Sequence, residues 1–412
     1  IKVGESDIPD FISHMHYTKS FKTLVMGTET GVFGRLEVEA EAINDDDDDY
    51  DNQQKKERKT IETPFIEMGR FHTKRVTGIK ELGQSTQLVT ISEDHYMSIW
   101  EATNQSMVST VWQPAMPISL DTTTDGSTAF IGTSLGAFRA YDLTVRESPR
   151  LVVQSRFFDD SVPINNVKVS PDGQYVLISS SESKQVFVLS ASSEQRFQLL
   201  GFLEFQGLVV SATFAEIEGS VRIIAVLSNN LLAAAYSPVK LAANRMEPMP
   251  DEMAKPTYRK IDRGSNLVMT NPITGDLYVT GSDKLLKRYD YPTEKITQID
   301  WKRAPPIAVE EHQSHSIGTA CWDFSQQFKF MATGGKDGNI FMRHVNNISQ
   351  IPNPIKAHAL YSGGVTALCF SQQRSTLYSA GGDGSIMAWT YGGKPNPQDP
   401  ILQPEGINPQ IS

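Results

Sequence analysis

The chain has 412 residues, with 39% hydrophobic and 21% charged residues, 29 Gly and 22 Pro, a globular and turn-rich balance that argues against a disordered or coiled-coil protein. The net charge of −10 is concentrated: residues 39 to 63 hold ten acids and four bases, a balance of −6, which leaves −4 on everything else and disfavours nucleic-acid binding through a basic surface. No apolar run reaches the length of a membrane span, and two cysteines, Cys321 and Cys369, give neither a disulfide framework nor metal-site spacing, as expected of buried, reduced thiols in a cytoplasmic protein.

The chain opens Ile1-Lys2-Val3-Gly4, without an initiator Met or a signal pattern, and is expected to be cut from something longer. A first three-strand unit is read over Phe11 to Val38, with Leu24 to Gly27, a Glu29-Thr30-Gly31 turn and Val32 to Val38, and a fourth strand near Phe65. Between them lies the acidic stretch 43–60. Its five successive Asp lack the ligand spacing of a cation loop, so a solvated insert is the expectation.

The second unit, Gly69 to Trp100, contains the pattern that the others vary. His72 precedes an apolar strand, Thr90 sits in a second strand, Asp94 follows in a turn, and Trp100 ends a third; His72 to Asp94 is 22 residues and Asp94 to Trp100 is six. Units over Ile118 to Leu143, Ile164 to Leu189, Val209 to Tyr236 and Asn266 to Tyr289 keep the three strands and mostly lack the His or the Trp. Residues 240–257, with three Met, are expected to form a loop insert. The pattern returns in His315, Thr333 and Asp337, again 22 residues from His to Asp, with Arg343 where Trp is expected, and in His358, Ser379, Asp383 and Trp389. Asp383 and Gly384 supply a turn, because Asp bonds backbone two residues on and Gly accepts positive φ. From 392 to 412, Gly, Pro, Asn and Gln read as a linker, with one edge strand conceivable near Ile401-Leu402.

These units resemble WD40 repeats, each a blade of a β-propeller, and the resemblance covers nearly the whole chain. It implies an all-β propeller over 1–391 with eight three-to-four-stranded blades; the alternative is seven blades plus one blade of a preceding propeller. It also implies one hydrogen-bonded chain per blade. His72, Thr90, Asp94 and Trp100 would form one, His315, Thr333 and Asp337 an incomplete second, and His358, Ser379, Asp383 and Trp389 a third. Their role would be to hold blades together.

No phosphate loop, nucleophile elbow, His-Glu-x-x-His or Cys-x-x-Cys is present, so no catalytic, metal or cofactor site is read from the sequence. Trp112, Trp301 and Trp322 are expected in packing rather than in a ligand cage. The expected function is a non-enzymatic protein-interaction scaffold without nucleic-acid or membrane partners. Within WD-repeat proteins the chain looks most like the large cilia- and flagella-associated members, which implies an axonemal setting with dynein, tether or microtubule-associated partners. The alternatives are a peptide or substrate receptor of a ubiquitin ligase or trafficking coat, and, more remotely, a propeller hydrolase. A scaffold should bind through lateral blade edges and inserts such as 43–60, a receptor through a basic or aromatic ring on one channel face.

Overall fold

The computed structural model describes residues 12–18, 23–28, 32–37, 66–70 and 72–391, apart from 105, 159–160, 218–219, 243–244, 249–254, 262, 272–275, 283, 290–309, 326–328, 346 and 349–351. The chain divides into two compact units, Ile1–Lys74 and Arg75–Ser412. The first carries β1 (Ile12–Thr18), β2 (Thr23–Thr28), β3 (Val32–Glu37) and β4 (Ile66–Arg70), paired in that order as one antiparallel sheet. The acidic insert 43–60, the fourth strand's proposed residue Phe65, Trp301 and the tail 392–412 lie outside the described residues.

In the second unit, the described residues form seven blade sheets and one two-stranded hairpin, and within each blade sheet strands are neighbours in chain order. Blade 1 is β5 (Val76–Glu81), β6 (Gln87–Ser92), β7 (Tyr96–Glu101) and β8 (Ser106–Trp112). Blade 2 is β9 (Pro117–Thr122), β10 (Thr128–Thr133), β11 (Ala137–Asp142) and β12 (Arg150–Arg156), and blade 3 is β13 (Asn166–Val169), β14 (Tyr175–Ser179), β15 (Gln185–Ser190) and β16 (Leu199–Glu204). Blade 4 comprises β17 (Val209–Ile217), β18 (Ser220–Leu227), β19 (Leu231–Tyr236) and β22 (Thr257–Lys260); before its last strand the expected loop insert forms a hairpin of β20 (Val239–Ala242) and β21 (Arg245–Pro248). Blade 5 is β23 (Ser265–Thr270), β24 (Leu277–Gly281), β25 (Leu285–Tyr289) and β26 (Glu310–Gln313). Blade 6 is β27 (Thr319–Phe324), β28 (Phe330–Gly335), β29 (Asn339–His344) and β30 (Ile355–Lys356). Among the described residues, blade 7 comprises β31 (Val365–Phe370), β32 (Thr376–Gly381) and β33 (Ile386–Thr390).

Second strands such as β10 (TAFIGT) and β14 (YVLIS) are buried along their whole length. A strand covered on both faces reads as a continuous apolar run, and the covering comes from the next blade. Leu82, Val89 and Ile99 of blade 1 meet Leu120, Ile131 and Tyr141 of blade 2 in one core cluster. Comparable clusters join blades 2 and 3 around Phe130 and Leu189, blades 3 and 4 around Tyr175 and Phe214, and blades 6 and 7 around Ala332 and Phe370. Each fully buried Phe or Leu in these interfaces contributes roughly 1.5–3 kcal/mol relative to exposure.

The ring is sutured at every interface by a polar bond between blades. Thr77 Oγ1 donates to Pro117 O (2.8 Å), Ser119 Oγ to Ile164 O (2.7 Å), Asn166 Nδ2 to Ala212 O (2.6 Å) and Thr270 Oγ1 to Phe214 O (2.7 Å). Thr280 and Thr319 hydroxyls bond at 2.9 Å, and Phe370 N–H donates to Asp323 (2.7 Å). The last suture closes the circle: Thr366 Oγ1 donates to Val76 O (2.5 Å), Ser371 Oγ to Glu81 (2.7 Å), and the Gln372 N–H also reaches Glu81. This corrects the expected count. Blade 7 bonds blade 1 directly, so the propeller has seven blades and not eight, and the sheet of β1 to β4 belongs to the separate first unit.

Candidate functional site

In blade 7, Gly384 takes φ 77°, which lets the β32–β33 turn present Asp383. His358, in the connector before β31, places Nδ1 at 3.2 Å from Asp383 Oδ1 and Nε2 at 2.8 Å from Ser379 Oγ, and Trp389 Nε1–H donates to that same hydroxyl (2.9 Å). The second Asp383 oxygen accepts the Ala359 N–H (3.1 Å). Burial alone would raise the Asp383 carboxyl; the hydrogen bonds from His358, Ser385 and Ala359 and the charge of His358 outweigh it and hold the acid well below its ordinary value of 3.8.

Blade 6 repeats the geometry without the aromatic end. His315 Nδ1 lies 3.0 Å from Asp337 Oδ1, its Nε2 lies 3.1 Å from Thr333 Oγ1, and Asp337 Oδ2 accepts the Ser316 N–H (2.8 Å). Asp337 is held below its ordinary value for the same reasons. Arg343 pairs with Met331 as Trp389 pairs with Leu377, so Arg stands in the register place of the Trp, with its guanidinium over the Phe341 ring at 5.4 Å. In blade 1, Trp100 Nε1–H donates to Thr90 Oγ1 (2.8 Å), and Asp94 Oδ1 accepts the Tyr96 N–H (3.1 Å). His72 belongs to the first unit and is buried.

Sequence reasoning missed a charge cluster on the innermost strands. Lys80 of β5 and Asp121 of β9 form an ion pair at 3.1 Å; Asp121 Oδ2 also accepts the Val169 N–H (2.8 Å). Lys168 of β13 lies over the Trp322 ring of β27 at 5.5 Å, and Asp323 beside it accepts the Phe370 N–H (2.7 Å). Burial opposes the charge on all four. The neighbouring carboxylates nevertheless raise Lys80, Lys80 and Lys168 lower Asp121, and burial prevails at Lys168, lowered, and Asp323, raised. Lys80 and Asp121 pair directly, and Lys168 and Asp323 add one basic and one acidic group within electrostatic reach of them, among blades 1, 2, 3 and 6. The signal was present only as isolated Lys and Asp within otherwise apolar inner strands, each in a different repeat.

Both cysteines are free. Cys369 is buried, its Sγ accepting the Glu81 N–H (3.2 Å), and burial pushes its thiol up to about 12, while Cys321 is half-buried and is also raised by burial. A thiol held protonated is a poor nucleophile and a poor ligand. Among the described residues no three His, Cys, Asp or Glu gather as metal ligands, and no helix is long and apolar enough to cross a membrane.

Strand direction sorts the exposed apolar side chains. Met107 on β8, Leu151 and Val152 on β12, and Leu199 and Phe202 on β16 lie on the outermost strands of three successive blades. The connectors into the first strands and the turns between second and third strands share one face, which carries Tyr96, Trp112, Leu135, Leu208, Ile317, Leu360 and Tyr361. The opposite face has Val145 alone among the exposed large apolar residues described. Trp112, expected in packing at a core or strand edge, ends β8 with 58% of its surface exposed.

The WD40 family, described as "WD domain, G-beta repeat", matches residues 350–390, which span β30 through β33. The chain is 19% identical over 296 residues to Cilia- and flagella-associated protein 43 of Xenopus laevis. That match covers 66% of this chain and 18% of the relative, so the chain spans only a minor part of the longer protein. The chain carries a seven-bladed WD40-repeat β-propeller and resembles the cilia- and flagella-associated WD-repeat proteins.

Proposed function

We propose that the propeller is a non-enzymatic protein-interaction scaffold, one module of a ciliary or flagellar axonemal assembly associated with dynein and microtubules. One observation carries the reading: Met107, Leu151, Val152, Leu199 and Phe202 expose apolar surface on the lateral edges of blades 1 to 3, where a rigid disc can be gripped from the side. The name of the amphibian relative supplies the ciliary setting. In this reading His72, Thr90, Asp94, Trp100, His315, Thr333, Asp337, His358, Ser379, Asp383 and Trp389 serve the blades, a role supported by the bonds of Trp100 to Thr90, of His315 to Thr333 and Asp337, and of His358 and Trp389 to Ser379.

A second reading, a cytosolic peptide or substrate receptor, is favoured by the aromatic side chains on one face, Tyr96, Trp112 and Tyr361, the last fully exposed. Asp337 and Asp383 brace the two connectors that carry Ile317, Leu360 and Tyr361 through the Ser316 and Ala359 N–H groups. Affinity purification from ciliated cells separates the two. Leu151→Glu with Phe202→Glu is expected to release axonemal partners, and Leu360→Ala with Tyr361→Ala to retain them. The reverse pattern would establish the receptor and sink the scaffold.

A further inference from the structure

Blade 2 fills the places of the blade 7 network with different residues. Tyr141 pairs with Ala129 as Trp389 pairs with Leu377, so Tyr141 stands in the Trp place and Ile131 in that of Ser379. Leu135 then takes the place of Asp383, and Gly136 follows it at φ 75° as Gly384 follows Asp383 at φ 77°. Gln113 takes the His place. Its N–H donates to the carbonyl of His95, the residue after Asp94, as the His358 N–H donates to that of Gly338, the residue after Asp337.

The exchange removes an acid and adds a base. Leu135, in the place of the carboxylate, is 49% exposed and brings no charge. Arg139 pairs with Ile131 across the sheet and is 4% exposed; its Nη1 donates to Gln113 Oε1 (2.8 Å), which also accepts the Tyr141 hydroxyl (3.1 Å). Two donors on Oε1 fix the orientation of that amide. Gln113 Nε2 and Arg139 Nε are buried without a hydrogen-bond partner, and Arg139 makes no ion pair among the described residues.

A guanidinium cannot relieve its burial by losing a proton, and buried charges are ordinarily paired. The guanidinium, the phenol and the amide N–H groups are all donors, and Gln113 Oε1 is the side-chain acceptor they share. Water would accept from the remaining donors and leave the charge uncompensated, whereas an anion meets both demands. With Gln113 at 0% and Arg139 at 4% exposure, a partner's side chain has no opening to them, which selects a single-atom ion.

We propose that the protein binds a chloride ion between blades 1 and 2, held by Arg139 and the Gln113 amide, where blades 6 and 7 carry the negative charge of Asp337 and Asp383. The ion completes the blade 2 network and steadies the connector that follows the exposed Trp112, as Asp383 steadies the connector carrying Leu360 and Tyr361.

Thermal unfolding of the full chain in sodium chloride and in sodium gluconate at equal ionic strength tests this, with the unaltered protein beside Gln113→Glu. The substitution keeps the shape of the side chain and supplies the negative charge internally. The unaltered protein should melt roughly 2–3 °C higher for each tenfold rise in chloride once the site fills, and gluconate should not reproduce the gain. Gln113→Glu should ignore the exchange of salts and melt no lower than the unaltered protein does in gluconate. Equal midpoints of the unaltered protein in the two salts, or the same chloride response in both proteins, overturn the proposal. If Gln113→Glu does not fold, anomalous diffraction from crystals of the unaltered chain grown in bromide decides. A bromide peak at the Arg139 guanidinium supports the site, and no peak there overturns it.

Discussion

Asp383 shows how one side chain couples stability to surface shape. Its two oxygens accept from His358, Ser385 and the Ala359 N–H, tying the β32–β33 turn to the connector that carries Leu360 and Tyr361. Hydrogen bonds to a charged group are worth about 1.5–3 kcal/mol each, less than additively, so Asp383→Ala should cost roughly 2–4 kcal/mol in urea unfolding. The sign of the pH effect follows from the depressed acids. Asp383 and Asp337 bind protons more readily unfolded, at about the ordinary 3.8, than folded. Their stabilisation is complete above that value and is lost as the pH falls through 3.8 toward the folded values. Urea midpoints should hold from neutral pH to about pH 4 and begin to decline between about pH 4 and 3, and Asp337→Asn with Asp383→Asn should flatten that acid limb. Lys80 gives a complementary prediction. Lys80→Met removes the direct ion-pair partner of Asp121, which keeps the Val169 N–H and the nearby Lys168, and should destabilise by about 1–3 kcal/mol, whereas Lys80→Met with Asp121→Leu should recover part of the loss, because both partners of the pair are then gone.

At the scale of elements, the local pattern was legible where it is repeated. The His-to-Asp offset of 22 residues, the Asp-Gly turns and the apolar second strands located β5 to β7, β27 to β29 and β31 to β33 to within a few residues, because turn chemistry and two-sided burial are local requirements. The blade 6 variation was less legible. The sequence places Arg343 where Trp is expected, but that Phe341 lies against His315 at 4.6 Å between ring centroids is visible only once strands are paired. Between blades, the turn at Gly83 meets the turn at Gly126 so closely that a Cβ on Gly83 would stand 2.3 Å from Asp125 O, and both residues have positive φ. Gly83→Ala should therefore lower the thermal midpoint by several degrees, corresponding to about 1–3 kcal/mol, while Gly173→Ala, whose Cβ would meet only Thr124 at 3.4 Å, should lose only about 1 kcal/mol to backbone strain.

At the scale of the whole molecule, closure was the property that sequence left open. The four strands of the first unit carry the same local signals as a blade, and nothing in their pattern excludes them from the ring. What excludes an eighth member is a set of contacts nearly 300 residues apart in sequence, among them Thr366 with Val76 and Ser371 with Glu81, each 290 residues distant. The inner charge cluster escaped notice for the same reason, since Lys80, Asp121, Lys168 and Asp323 become neighbours only when the ring forms. The lateral patch on β8, β12 and β16 is likewise assembled from three repeats, and it supports the scaffold reading. Site-specific photo-crosslinking in ciliated cells tests that reading most directly, with a photoreactive residue placed at Leu151, Phe202 or Tyr361 in turn. The account predicts crosslinks to axonemal proteins from Leu151 and Phe202; crosslinks from Tyr361 alone, to ubiquitin-ligase or vesicle-coat subunits, would contradict it.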